Sequence, residues 1–244
     1  NHRAIVFKRF ARALELPEIG ESDRFLCYLP LFHTFGRFLE LTGCIFWGST
    51  YCFAENPGIE TLARQMRTEG TTTLISIPMK WMQLYESVRQ NVDTETADDA
   101  EIEPAVRRLV GPGLRWGLSA AGYLDPEIFR FFQRYGVELM SGFGMTEATG
   151  GITMTPPGRY REDSLGPALP GIEISPAVSS STRITMLRAV ICGSAITSAT
   201  SWMGPQGTPA PSRAASQSAQ VPSRRTPSTS VLSASAWARL RSRP

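Results

Sequence analysis

The last 70 residues of this 244-residue chain contain no Asp, no Glu and no Lys; their only charged side chains are eight Arg. All 22 carboxylates lie before Ser175, with 17 basic residues among them, so residues 1–174 carry −5 and residues 175–244 carry +8. The overall +3 and the pI of about 8.8 therefore describe neither part. A basic excess confined to one end, without aromatic residues interleaved at regular spacing, is not the footprint of a nucleic-acid surface, and no nucleic-acid partner is expected.

Other scarcities exclude further classes. The four cysteines, Cys27, Cys44, Cys52 and Cys192, show no CxxC spacing and no secretory segment precedes them. Disulfides are not expected, and a reducing, cytoplasmic compartment is the default. His2 and His33 are the only histidines. With no paired cysteines beside them, they support neither a zinc site nor a Ser-His-Asp arrangement. Any metal should be Mg²⁺. No apolar run approaches the roughly 20 residues that span a bilayer. The longest, near Leu41 to Trp47, is broken by Thr42 and Gly43. No transmembrane segment is expected in these residues, while peripheral membrane contact stays open. The acid-rich stretch Asp93 to Glu103 lacks the ligand spacing and glycine of a calcium loop and reads as an exposed loop.

What is present is an alternation. Ile5, Val6, Phe10 and Leu14 recur at helical spacing from Asn1 to about Leu16, with Lys8, Arg9 and Arg12 on the other face. The pattern begins without Met, as at a cut end. Strands are predicted at Phe25 to Leu29, Thr50 to Ala54, Thr72 to Ile77, Leu114 to Leu118 and Val137 to Met140. Between them fall helices at Arg37 to Trp47, Ile59 to Thr68, Lys80 to Arg89 and Pro126 to Arg134. This is the signature of βαβ units, hence an α/β fold with a mostly parallel sheet covered on both faces. Ligands of such sheets bind beyond the carboxyl ends of the strands.

From Ser175 the Ser, Thr, Ala, Pro and Arg content rises and periodicity weakens. Such a segment lacks the apolar burial that offsets the entropy of ordering. Residues 1–174 are therefore read as one domain and 175–244 as a disordered extension. The change falls inside an apparent strand, Gly171 to Ile174, which points to translation out of frame.

Three stretches carry chemistry. In Ser141 to Glu147, two glycines flank Phe143 at a strand end, where the ring could stack on a base. Thr146 and Glu147 offer ligands for a phosphate oxygen and Mg²⁺. A glycine turn with a helix-capping Thr fits equally well. In Ser119, Ala120, Ala121 and Gly122, small residues leave room for a ligand, and with Gly117 they nearly form the GxSxG elbow of an α/β-hydrolase, which would make Ser119 a nucleophile. Both histidines precede Ser119, however, whereas that fold places its histidine after it. In PLFHTFG, at 30–36, His33 sits between Phe32 and Phe35, where a structural role is the ordinary reading. Gly142 and Gly144 are followed by Glu147 where a dinucleotide fingerprint needs its third glycine, so NAD is not indicated. A non-catalytic interaction protein is the remaining alternative.

Taken in order, PLFHTFG, LSAAGYLDPE, SGFGMTEATG and SLGPALPGIEI at 164–174 resemble the adenylate-forming superfamily, specifically its long-chain acyl-CoA synthetases. The resemblance covers residues 1 to about 174. It implies that Phe143 and Gly144 lie at the adenine, that Thr146 contacts the α-phosphate and that Glu147 holds Mg²⁺. Ser119, Ala120, Ala121 and Gly122 would line the adenine pocket, departing from the family's usual Gly-Gly-Ala. His33 would stand near the reacting carboxylate. The implied reaction joins a fatty or other carboxylic acid to ATP and passes the acyl group to coenzyme A. The family's phosphate loop would precede Asn1, and its ribose-binding Asp and catalytic Lys would follow residue 174, so a chain of this extent is expected to be inactive alone.

Overall fold

The computed structural model describes residues 2–178, 185–191 and 194–199. Its centre is a six-stranded sheet in the order β2-β1-β3-β4-β5-β6, formed by β1 (Arg24–Cys27), β2 (Thr50–Phe53), β3 (Thr73–Ser76), β4 (Trp116–Ser119), β5 (Glu138–Met145) and β6 (Gly150–Met154). The first five pair in parallel, and β6 returns antiparallel to β5. The expected α/β architecture is present.

The strands read as continuous apolar runs because both faces are covered. Side chains alternate across the sheet, so neighbours in sequence enter different layers. Leu26, Leu74 and Leu139 face α3 (Ile59–Thr68), α4 (Pro78–Arg89), α5 (Asp99–Val110) and α6 (Pro126–Arg134). Phe25, Cys27, Ile75, Trp116, Leu118 and Met140 face the opposite layer, where α1 (His2–Glu15) and α2 (Thr42–Trp47) lie. Gly117 marks the point of closest packing in the first layer. A Cβ there would stand 2.7 Å from the ring of Trp81, a fully buried indole whose Nε1–H donates to the Leu118 carbonyl at 3.2 Å.

Helix starts follow local chemistry. Pro78 and Pro126 occupy first-turn positions, where their missing N–H is not needed. The Asp125 carboxylate accepts from the Glu127 amide at 2.8 Å and caps α6. The acid-rich stretch is only partly a loop: Asp98 caps α5, and the helix then runs through Glu103 to Val110. Acids in a first turn complement the helix dipole, while Ile102, Ala105, Val106 and Val110 form its buried stripe. The segment read as one helix from Arg37 divides into a π-helical turn, Phe35–Leu41, followed by α2.

The first helix is turned over relative to expectation. Lys8, Arg9, Ala11 and Arg12 are buried, whereas Val6, Phe10 and Leu14 are 52%, 41% and 56% exposed. Two of the three buried cations find backbone partners: Lys8 Nζ donates to the Gly151 carbonyl, and Arg9 Nη1 donates to that of Leu39 at 3.3 Å.

Beyond the main sheet, β7 (Ile172–Val178), β8 (Thr185–Ile191) and β9 (Ser194–Ala199) pair antiparallel. Part of the segment expected to be unstructured from Ser175 thus has paired backbone. The rest of that expectation, residues 200–244 included, lies outside the described residues. No helix among the described residues is long and apolar enough to cross a membrane.

Candidate functional site

The carboxyl ends of β4 and β5 meet the loop after β1 around a cavity of about 200 Å³. Its walls include His33 and Thr34 from that loop, Phe35 at the start of the π-helical turn, Ala120 and Ala121 after β4, and Gly142 to Thr146 from β5 and its turn. The parallel register sets Ser119 beside Ser141, so the two motif-bearing segments leave the sheet side by side. His33, Ala120, Ala121, Phe143, Gly144 and Thr146 therefore share one cavity, although up to 113 positions separate them in sequence.

Three sequence-derived candidates do not line it. Ser119 is buried, and its Oγ has no hydrogen-bond partner among the described residues. Neither histidine reaches it by a hydrogen bond, which leaves a serine nucleophile without a base. Gly122 and Glu147 are exposed nearby. No group of three or more His, Cys, Asp or Glu is clustered for metal binding among the described residues. Glu147, one exposed carboxylate beside the Thr146 hydroxyl, nevertheless fits Mg²⁺ as a nucleotide carries it, with phosphates and water completing the shell.

Local geometry sharpens several roles. The Phe35 amide donates to His33 Nδ1 at 3.2 Å. A neutral His33 ring therefore carries its proton on Nε2, and that nitrogen can serve a ligand as donor. β5 extends to Met145, five residues past the expected Met140. The aromatic Phe143 is thus on a strand, and Thr146 opens a short 3₁₀ turn to Ala148 rather than capping an α-helix. Gly144 is explained by the sheet itself, because a Cβ there would lie 2.7 Å from the Gly150 carbonyl oxygen across the β5–β6 pair. Ala121 adopts φ 69°, a left-handed conformation that costs a residue with a Cβ roughly 1–2 kcal/mol.

Sequence reasoning missed Arg12, Gly151, Thr153 and Met154 in the cavity wall. Three of them lie on β6 just past Gly150, the last residue of the SGFGMTEATG motif. Arg12 was hidden by its placement on what read as the solvent face of a helix. Burial lowers its pKa to about 9, with Arg9 adding to the effect, and lowers that of Arg9 to about 10. Arginine keeps its proton at such values, so the shifts express the cost of a charge taken out of water.

An open, mostly parallel sheet with a cavity at its strand ends defines a ligand-binding α/β domain. Comparison with known proteins then makes the assignment specific: the model of the AMP-binding enzyme family matches residues 1–175, and the chain belongs to that family. It is 26% identical to the long-chain-fatty-acid–CoA ligase ACSBG1 of Rattus norvegicus, over 65% of this chain and 27% of that protein. It is 23% identical to long-chain-fatty-acid–CoA ligase 1 of Schizosaccharomyces pombe, over 71% of this chain and 30% of the relative. The chain thus spans about a quarter of the length of the curated relatives it matches. Among solved structures, a malonyl-CoA ligase complex with methylmalonyl-CoA and AMP superposes with a TM-score of 0.61 at 23% identity, covering 80% of this chain and 40% of that one. The o-succinylbenzoate coenzyme A synthetase of Bacillus subtilis with ATP and magnesium gives 0.59 at 19% identity, covering 78% and 37%. Family membership sets aside the α/β-hydrolase reading of Ser119.

Proposed function

We propose that this chain carries the adenine and carboxylate end of an adenylation pocket, part of an enzyme that activates a carboxylic acid with ATP and passes the acyl group to coenzyme A. The observation that carries the reading is the convergence of Phe143, Thr146, Ala120 and His33 on one cavity from three strand ends. In this reading Phe143 stacks on the base, with Ala120 and Ala121 as the pocket's edge and Gly144 leaving room beside it. Thr146 donates to the α-phosphate, and Glu147 contributes a ligand to Mg²⁺. His33 donates from Nε2 to the carboxylate, which orients the attacking oxygen. Bound Mg²⁺ supplies neutralisation of phosphate charge as the acyl-phosphate bond forms and pyrophosphate leaves.

Two long-chain-fatty-acid–CoA ligases among the relatives support a fatty acid as substrate. Malonyl-CoA and o-succinylbenzoate ligases among the structural neighbours support the broader class of carboxylic acids. Free Cys27, Cys44 and Cys52 suit a reducing, cytoplasmic setting. The test is titration of the purified chain with AMP and GMP by calorimetry. AMP should bind preferentially, and Phe143→Ala should weaken it about tenfold, the scale of one base-aromatic stack. Equal affinity for AMP and GMP, or full affinity in Phe143→Ala, overturns the assignment.

A further inference from the structure

Helix α1 brings three cations into the interior, and among the described residues no carboxylate pairs with the Arg12 guanidinium. Lys8 and Arg9 donate to backbone carbonyls. Arg12 is 4% exposed, and its one hydrogen bond among the described residues is a long donation from Nη1 to the Met154 thioether at 3.7 Å. Its Nε is buried without a partner, and no ion pair among the described residues includes it. A guanidinium presents five donors in a rigid fork, and burying it unpaired is costly. Its position is a built one. A Cβ on Gly151 would lie 2.5 Å from Arg12 Nη2, so the absence of a side chain at Gly151 makes room for the guanidinium at the cavity wall it shares with Phe143 and Thr146.

We propose that Arg12 is the anion anchor of this cavity, its guanidinium pairing with two oxygens of a ligand's phosphate or carboxylate group. The adenylation reading supplies the two sources, a nucleotide phosphate or the carboxylate of the acid, and the inference rests on it only for them. Both groups match the planar fork, and pairing in a water-poor wall gives charge-assisted bonds their full strength. A lysine at this position would place a single point charge and lose the second bond. A wholly apolar acyl tail lying against Arg12 would leave the charge unpaired.

Calorimetric titrations of the full chain with AMP, adenosine, inorganic phosphate, succinate and hexanoate, repeated on Arg12→Met and Arg12→Lys, test the anchor. With a phosphate source, AMP binds the parent chain at least tenfold tighter than adenosine, and Arg12→Met abolishes that margin. With a carboxylate source, the margin persists while succinate or hexanoate binding falls at least tenfold in Arg12→Met. Either result supports the anchor and names its ligand group. The proposal is overturned if Arg12→Met binds each oxyanion as tightly as the parent, or if the parent binds none of them. Phosphate or succinate binding through Arg12 without adenosine binding would keep the anchor and sink the nucleotide reading. Removing the buried charge should raise the melting temperature of Arg12→Met. Should that variant fail to fold, the guanidinium Nε–H resonance of Arg12, assigned by its loss in Arg12→Lys, must shift on oxyanion addition; an unmoved signal overturns the anchor.

Discussion

Gly144 stands so close to Gly150 that a single added methyl group would lie 2.7 Å from the Gly150 carbonyl oxygen. The contact is backbone on one side, so no side chain can swing away. Gly144→Ala should therefore open the β5–β6 pair and destabilise the domain by about 1–3 kcal/mol, the ordinary cost of overpacking. Because β5 continues into Thr146, AMP affinity should fall with stability. Urea denaturation and calorimetry on the same variant check both, and unchanged stability would show that the pair can part without cost.

Gly117 makes the companion case in the core. A Cβ there would meet Trp81 at 2.7 Å and Leu139 at 2.9 Å, two fully buried side chains. Gly117→Ala should cost about 1–3 kcal/mol, again through overpacking. Gly20→Ala is the control, since nothing lies within 4 Å of that position. It should be neutral or stabilising by up to about 1 kcal/mol through the unfolded chain. Equal midpoints for the two variants would count against the packing described.

Ala121 lines the cavity in a left-handed conformation at φ 69°. Ala121→Gly relieves that strain but loosens the unfolded chain, and the two effects largely cancel, leaving stability within about 1 kcal/mol of the parent. Ala121→Val cannot adopt the conformation cheaply and should lose more than about 1 kcal/mol. Thermal melts of the two variants side by side test this, and a valine variant as stable as glycine would place the strain elsewhere.

Strands β1 to β5 and the helices between them other than α5 were legible because a sheet covered on both faces writes itself as short apolar runs, as Phe25 to Cys27 and Leu74 to Ile75 do. The cavity was legible in its motif-bearing half: Phe143, Thr146 and Ala120 fall at strand ends and His33 in the loop that follows β1. The orientation of α1 was not. Periodicity finds two faces of a helix, but which one turns inward depends on what meets it. Here that was the carbonyls of Gly151 and Leu39, distant in sequence. Arg12 was lost for the same reason. The start of α5 was masked by acids that look solvated and are in fact first-turn residues placed where the dipole favours them.

Glu40 supplies a pH dependence with a definite sign. It is fully buried on the π-helical turn, and neither carboxylate oxygen has a partner among the described residues. Burial raises its pKa from 4.5 to about 9, with Cys44 adding to the rise. The other ionisable groups that feel it are Cys27 and Tyr28, before the turn, and Tyr51 on β2. A folded-state pKa above the unfolded one means that the native protein holds a proton the unfolded chain has released. The contribution is fully present below pH 4.5 and is lost as pH rises through about 9, a span worth several kcal/mol by linkage, to order of magnitude. Glu40→Gln keeps the shape and removes the titration. Urea midpoints between pH 5 and 9 should fall for the parent and stay nearly level for the variant. Parallel slopes would mean that Glu40 does not hold its proton in the folded chain.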